Sequence, residues 1–448
     1  MPDLDETLRG NQTLRNLLKL SVVSGSMTGD NPDDKAYLGD DEPDPAALNQ
    51  LEQYKDKQGN ATGVAKPTRR NVFLILTYDK RWKGRVWLND FAGSLMIDDR
   101  EYADVDDTEI SLWLDQAYQL QISSEKVREM TQFVGNRNKR NPLQDWLNQK
   151  HWDKASRLNE WLVKATGCED TELHREIGRR WLIQAIARAM TPGCKADCVL
   201  ILIGKQGAKK STLLRTLAST QFFADTPIDI GSANAYTQIR RAWIYEVAEL
   251  DSVRRSANSA TKAFLSAQED VYRPAYGRHA VTVKRHVVFA GTTNEAQFIN
   301  DQTGSRRYWP VKVKNIDLEW VAKNRDQLWA EAIVEFNAGE RWWLEDESSD
   351  SLSTESEEYR HIDPWMERIA DWLVSSPGSL TTRNILEHGL KLEPNQMTRS
   401  AEMRIGEVMR DLGYERRRLR QAGKRRYEWF SRNSVVLGIA ASENNNDW

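Results

Sequence analysis

Hydrophobic positions follow two different periods along this chain, and the change of period marks its organisation. From Asp106 to Met190 they fall at helical spacing: Trp113, Leu114, Ala117 and Leu120 share one face, and Ile177, Trp181, Ile183, Ile186 and Ala187 line another. Thr191-Pro-Gly193 stops the last of these helices. From Cys198 to about Val313 short apolar runs of strand length alternate with helical stretches, an α/β pattern. Residues 318–339 are helical again. Nearer the start, Asn71-Val-Phe-Leu-Ile-Leu-Thr-Tyr78 reads as a strand, with Arg85-Val-Trp-Leu-Asn89 as its hairpin partner after Lys83-Gly84. Near the end, helical stretches at 363–374, 381–388 and 400–412 precede two strand-like runs around Gln421-Ala-Gly423. Three helices followed by a hairpin is the order of a winged helix. No internal repeat is present.

Composition divides the chain further. Residues 1–65 are polar and acidic, with one short apolar patch at Leu14–Val23, and are expected to form a mobile arm or linker. Residues 66–190 form a mixed and then helical N-terminal region, a candidate for oligomerisation. Residues 191–344 carry the α/β domain, the acidic, serine-rich 345–362 reads as a linker, 363–432 as the winged helix, and 433–448 as a tail. With 40% hydrophobic and 29% charged residues in 448, the chain is neither wholly disordered nor a membrane protein. Its opening residues lack a signal-peptide plan, and its three cysteines give no disulfide framework, so a cytoplasmic protein is expected. Cys194 and Cys198 have no Cys/His pair at zinc spacing to join.

The net charge of −3 conceals a segregation. Residues 30–44 carry seven acids against one base, whereas 399–426 carry ten bases against four acids. The basic end suggests a nucleic-acid surface, with Arg404 on the recognition helix and Arg416, Arg417, Arg418, Lys424, Arg425 and Arg426 on the wing. A solvated helix face is the plainer alternative.

Candidate chemistry centres on Val199-Leu-Ile-Leu-Ile-Gly-Lys-Gln-Gly-Ala-Lys-Lys-Ser-Thr212, an apolar strand, a glycine-bearing loop and a helix start. Backbone N–H groups at such a helix N-terminus attract phosphate. Gly204, Lys210 and Ser211 fit the P-loop pattern, but Lys209 stands where its second glycine is expected. Downstream, Arg241-Ala-Trp-Ile-Tyr-Glu246 is an apolar run ending in an acid, with Glu249 three residues on. His286 to Asn294 is a second such run ending in small polar residues, and Asn294 suits a phosphate sensor. Arg306 and Arg307 then precede a short strand. An acid, a sensor and a paired arginine are what an ATPase needs beyond its loop.

These runs together, with Lys262-Ala-Phe-Leu-Ser266, Tyr272 to Arg278 and Asp301 to Pro310, resemble the virulence-associated protein E family. Its members are P-loop ATPases of phages, plasmids and genomic islands, similar to superfamily-three replicative helicases. The resemblance spans residues 140–345 and departs from the family at Lys209. It implies an α/β, AAA+-like P-loop core with ATP and Mg²⁺ as ligands. Gln206, Gly207, Ala208, Lys209, Lys210, Ser211 and Thr212 would cradle the phosphates, Lys210 bridging the β- and γ-groups and Ser211 ligating Mg²⁺. Glu246 would be the second metal-side residue, with Glu249 assisting it or polarising water, and Asn294 the sensor. Arg306 or Arg307 would reach the neighbouring subunit's nucleotide, implying a ring, expected to be a hexamer. The segment before the sensor strand matches a DNA-facing hairpin, with Tyr276, Arg278, His279, Lys284 and Arg285 toward DNA and Tyr272 as a further stacking candidate.

The expected activity is therefore an ATP-driven DNA helicase in replication of a mobile element. Two alternatives remain open on sequence grounds: an origin-binding initiator whose ATPase drives assembly, and a remnant that has lost catalysis. No acidic-triad primase signature occurs in residues 1–140, so priming is expected from a separate protein.

Overall fold

The structure is a computed structural model that describes residues 43–230, 232–248, 258–273, 279–294, 305–359, 363–375, 380–421 and 424–432. The expected arm over 1–42 and tail over 433–448 lie outside the described residues. The chain divides into two compact units, Met1–Asp90 with Ser94–Arg140 and Phe91–Gly93 with Asn141–Trp448.

The first unit corrects two expectations. Part of the segment read as a linker carries a helical turn, Pro45–Leu48, and a hairpin of β1 (Gln53–Lys55) and β2 (Ala61–Ala65). The Asp56 carboxylate closes the hairpin turn by accepting the N–H groups of Gln58 and Asn60, both at 2.8 Å. The run read as a strand is instead α1 (Arg69–Tyr78), capped where Thr68 Oγ1 accepts the Asn71 N–H. Val72, Ile75 and Leu76 are fully buried at helical spacing, but the neighbouring Phe73 and Leu74 fill in the period and hide it. β3 (Val86–Asn89) consequently pairs with β4 (Ser94–Ile97), and β5 (Arg100–Glu101) and β6 (Lys139–Arg140) complete the sheet. α2 (Asp104–Tyr118) and α3 (Ser124–Arg137) cover it over a core that includes Trp82 and Trp113.

In the second unit α4 (Pro142–Asn148), α5 (Trp161–Thr166) and α6 (Glu172–Met190) precede the α/β core. That core runs β7 (Val199–Ile203), α7 (Lys210–Ala218), β8 (Phe223–Ala224), α8 (Ala233–Arg240), β9 (Ile244–Ala248) and α9 (Asn258–Ser266). A hairpin of β10 (Glu269–Tyr272) and β11 (Val281–Lys284) follows, then β12 (Val288–Thr293), β13 (Tyr308–Lys312) and α10 (Leu318–Asn337). The sheet has five strands in the order β13-β7-β12-β9-β8, all parallel. Every residue of β7 is buried, as a strand covered on both faces requires. Tryptophans tie the layers together: Trp243 donates its indole N–H to Ala185 O at 2.8 Å and Trp329 to Leu217 O at 2.9 Å, satisfying buried polar tips inside an apolar core.

The serine-rich segment read as a linker forms α11 (Asp346–Glu357) in the structure, anchored by the buried Leu352 and followed by the buried Tyr359. Beyond it stand α12 (Pro364–Ser375), a wider helical segment α13 over 382–389, α14 (Arg399–Asp411) and a hairpin of β14 (Tyr414–Gln421) and β15 (Lys424–Ser431). Ile369, Ile385, Ile405, Val408 and Trp429 form its core.

His286 sits buried at the head of β12, with its Nε2 against Arg240 O at 2.9 Å and its ring 4.3 Å from that of Phe91. Burial pushes its pKa down to about 4. The unfolded chain, with an ordinary histidine, binds the proton first, so this contribution to stability is complete above about pH 6.5 and is lost as pH falls toward 4. Between pH 7 and pH 5 the loss is about 2 kcal/mol. Chemical denaturation of the wild type and His286→Gln at both pH values should show a correspondingly smaller acid loss in the variant.

Candidate functional site

All five strands of the parallel sheet end on one edge, where open α/β sheets place their ligands. β7 runs into Gly204, whose N–H donates to Thr293 O at 3.1 Å, while Val313 N–H donates to Ile203 O at 2.7 Å. A Cβ on Gly204 would stand 3.2 Å from Val313 O, so the close approach of these backbones favours glycine. The loop then turns through Gly207 (φ +79°) and Lys209 (φ +64°, ψ +25°) into α7. Lys209 thus adopts the left-handed conformation that the missing glycine would have taken without a Cβ penalty. Its side chain is exposed and has no ion-pair partner among the described residues. The N–H groups of Lys210, Ser211 and Thr212 head the helix, where no preceding turn offers them carbonyls.

The Lys210 side chain folds back over the loop. Its Nζ donates to Gly204 O at 2.7 Å and Lys205 O at 3.0 Å. Desolvation draws its pKa below the usual lysine value, with the Glu246 carboxylate opposing that shift. Glu246 on β9 is 1% exposed. Its Oε1 accepts from Ser211 Oγ at 2.7 Å and from Thr292 Oγ1 at 2.5 Å, joining α7, β9 and β12 at one carboxylate. Its Oε2 is buried with no hydrogen-bond partner among the described residues. A hydroxyl and a carboxylate with an unused buried oxygen form a hard-oxygen set that fits Mg²⁺. No cluster of three or more His, Cys, Asp or Glu side chains occurs among the described residues, so an ion here would draw its other ligands from water or a bound phosphate. Thr292 was not anticipated from sequence; it lies two residues beyond Ala290, the register partner of Glu246 on the adjoining strand.

Asn294 follows β12 directly and is exposed on the same edge as Gly204. Glu249 lies outside the described residues. Arg306 and Arg307 occupy a 3₁₀ turn, Ser305–Arg307, that enters β13. Because Tyr308 pairs with Val199 and Lys312 with Ile203, these arginines stand at the opposite end of the sheet, roughly 15 Å from the Gly204 loop.

The expected DNA contacts divide. Arg285 is corrected: it is 3% exposed, its guanidinium forms a two-pronged pair with Asp270 at 2.8 and 2.6 Å, and it also donates to Phe264 O. It braces the hairpin root. Tyr272 is also buried, stacked on Tyr236. Lys284 and His279 are exposed, whereas Tyr276 and Arg278 lie outside the described residues. In the C-terminal helices Arg404 departs from its expected role as well. It makes a two-pronged pair with Asp363 at 2.7 and 2.8 Å and lies 4.0 Å over the Trp365 ring, clamping α14 to the start of α12. On the hairpin Arg417 pairs with Glu415 and Arg426 with Glu428. Arg416 stacks 4.6 Å from the exposed Tyr427, and Arg418 is exposed without an acid partner among the described residues. The side chains of Lys424 and Arg425 lie outside the described residues. Trp429 is buried and donates to Thr382 Oγ1, so it packs the hairpin onto the helices.

Comparison with protein families matches residues 147–361, which hold the Gly204 loop, Glu246, Asn294 and the arginine turn, to the virulence-associated protein E-like domain. This segment belongs to that family. No curated protein matches the chain. Among solved structures, this chain is similar to the apo structure of the NrS-1 C-terminal region, with a TM-score of 0.41 and 11% identity, covering 77% of this chain and 95% of that one. It is also similar to an A-form apo structure of that region, with a TM-score of 0.36 and 13% identity, covering 64% and 77%. Among the described residues, no helix is long and apolar enough to cross a membrane.

The left-handed Lys209 makes a direct prediction. Lys209→Gly removes the Cβ penalty and should stabilise the protein by about 1 kcal/mol, read as a raised denaturation midpoint without ligand. An unchanged or lowered midpoint would contradict the assigned backbone conformation.

Proposed function

We propose that this protein is an ATP-dependent DNA motor, a ring-forming helicase acting in replication of a mobile genetic element. The observation that carries the reading is the Ser211–Glu246–Thr292 contact beside Lys210, with Glu246 Oε2 buried and without a hydrogen-bond partner among the described residues. In this reading the loop from Gly204 to Thr212 is a P-loop. The helix-start N–H groups bind the phosphates, and Lys210 exchanges its two carbonyl partners for β- and γ-phosphate oxygens. Ser211 and Glu246 would hold Mg²⁺, which supplies charge neutralisation for the triphosphate. Asn294 senses the γ-phosphate at the end of β12. Arg306 acts on the nucleotide of the next subunit in a ring, proposed to be hexameric, because its own loop lies at the far end of the sheet. The match of residues 147–361 to the virulence-associated protein E-like domain and the strand-end position of the site support this reading.

The C-terminal unit from α12 to β15 is proposed as a winged helix that holds duplex DNA. Its support is the hairpin whose Arg416 and Arg418 remain exposed beside Tyr427. Lys284 and His279 on the β10–β11 hairpin are proposed to meet single-stranded DNA. Binding through such groups is phosphate-directed and weakens steeply with salt.

Two measurements test the proposal. DNA should stimulate ATP hydrolysis by the wild type, with particle mass rising when nucleotide is added, and Lys210→Ala should lower the rate by at least about 100-fold. A monomer with no DNA stimulation would sink the motor reading, and nucleotide-dependent DNA binding without strand separation would select an origin-binding initiator instead. Arg418→Ala should reduce the slope of log affinity against log salt by about one, equally for unrelated duplexes. An unaltered slope would remove the hairpin from the interface.

A further inference from the structure

The two adjacent arginines at the entrance to β13 have opposite environments. Arg307 is 17% exposed at its side chain, donates from Nε to Ser266 Oγ at 3.0 Å, and faces Asp197 Oδ2 at 3.6 Å. Asp197 is itself 15% exposed. Arg306, one residue earlier, is exposed and has no acid partner among the described residues. The 3₁₀ turn that carries both is a single turn, too short for its own hydrogen bonds to hold it firmly. Its side-chain tethers therefore help to hold it.

The tethers reach two separate places. Asp197 lies two residues before β7, the strand that ends in the Gly204 loop. Ser266 ends α9, and two residues later Gln268 O accepts the Arg285 N–H at 2.9 Å at the root of the β10–β11 hairpin. Arg307 thus joins the turn to the start of the central strand and to the hairpin root. One arginine is fastened so that the other is presented.

We propose that Asp197, together with Ser266, is a positioning residue: it fastens Arg307 so that Arg306 is held out toward the nucleotide of the adjoining subunit. This rests on the ring ATPase reading above. A catalytic group displaced by about 1 Å can lose on the order of 100-fold in rate, so loosening this turn affects turnover rather than nucleotide capture. Each subunit's own loop lies at the other end of β7 and keeps its geometry.

Steady-state ATP hydrolysis by purified full-length variants, alone and as mixed subunits, tests the proposal. Asp197→Ala should lower kcat at least about tenfold with KM unchanged, Asp197→Asn, which keeps an acceptor, should recover part of the loss, and Ser266→Ala should lower kcat less. Mixing Asp197→Ala with Lys210→Ala subunits should restore activity above the sum of the two. Intact loops of the first then meet correctly held arginines of the second, a recovery that an unfolded subunit could not provide. Wild-type kcat in Asp197→Ala, or no recovery in that mixture while Arg306→Ala with Lys210→Ala does recover, overturns the role of Asp197 and leaves the ring reading standing. Failure of the Arg306→Ala mixture too would overturn the ring reading, and this proposal with it.

Discussion

A carboxylate buried inside a parallel sheet is the constraint around which this protein is arranged. Removing an ionised carboxylate from water costs several kcal/mol unless partners replace its hydration. Glu246 receives two hydroxyl donors, Ser211 from the helix after the loop and Thr292 from the adjoining strand, both on Oε1. Hydrogen bonds to a charged group contribute about 1.5–3 kcal/mol each, so the pair offsets much of the burial. Oε2 remains without a hydrogen-bond partner among the described residues. The strand order brings this about: β12 lies between β7 and β9, so the residue after the loop and the acid meet across the strand that carries Thr292.

The same sheet separates two kinds of chemistry by its length. Its carboxyl-terminal edge gathers Gly204, Lys210, Ser211, Glu246 and Asn294, while its other end carries Arg306 and Arg307. A group at one end cannot act on a ligand at the other within one chain. The proposed ring follows from that separation, since the next copy would bring its arginines to this loop. The buried network of Arg285, Asp270 and Phe264 holds the hairpin to the same end as the arginines, and in the proposed function it would couple DNA contact to nucleotide turnover.

Much of the site was legible because its chemistry is local. A fully buried strand, a glycine loop and a helix start are contiguous, and Val199 to Thr212 announces all three in the order in which they fold. The positions of Glu246 and Asn294 were legible for the same reason, each closing an apolar run. What escaped was set by contacts distant in sequence. Arg285 looks like an exposed cation until Asp270, fifteen residues earlier, comes across the hairpin. Arg404 looks like a recognition residue until Asp363 and Trp365 fold back upon it. The helix at Arg69–Tyr78 was hidden because an apolar run this short satisfies both periods, and only its Thr68 cap and the burial of Ile75 and Leu76 separate them. In 346–357 a single buried leucine, Leu352, anchors a helix whose composition otherwise reads as linker.

In the proposed function Glu246 Oε2 is kept for a nucleotide-bound cation. The most direct test of that role is the affinity of wild type and Glu246→Gln for a fluorescent ATP analogue, measured with Mg²⁺ and with chelator. Mg²⁺ should tighten binding to the wild type, and Glu246→Gln should bind with nearly the same affinity under both conditions. Equal tightening by Mg²⁺ in both proteins would contradict it.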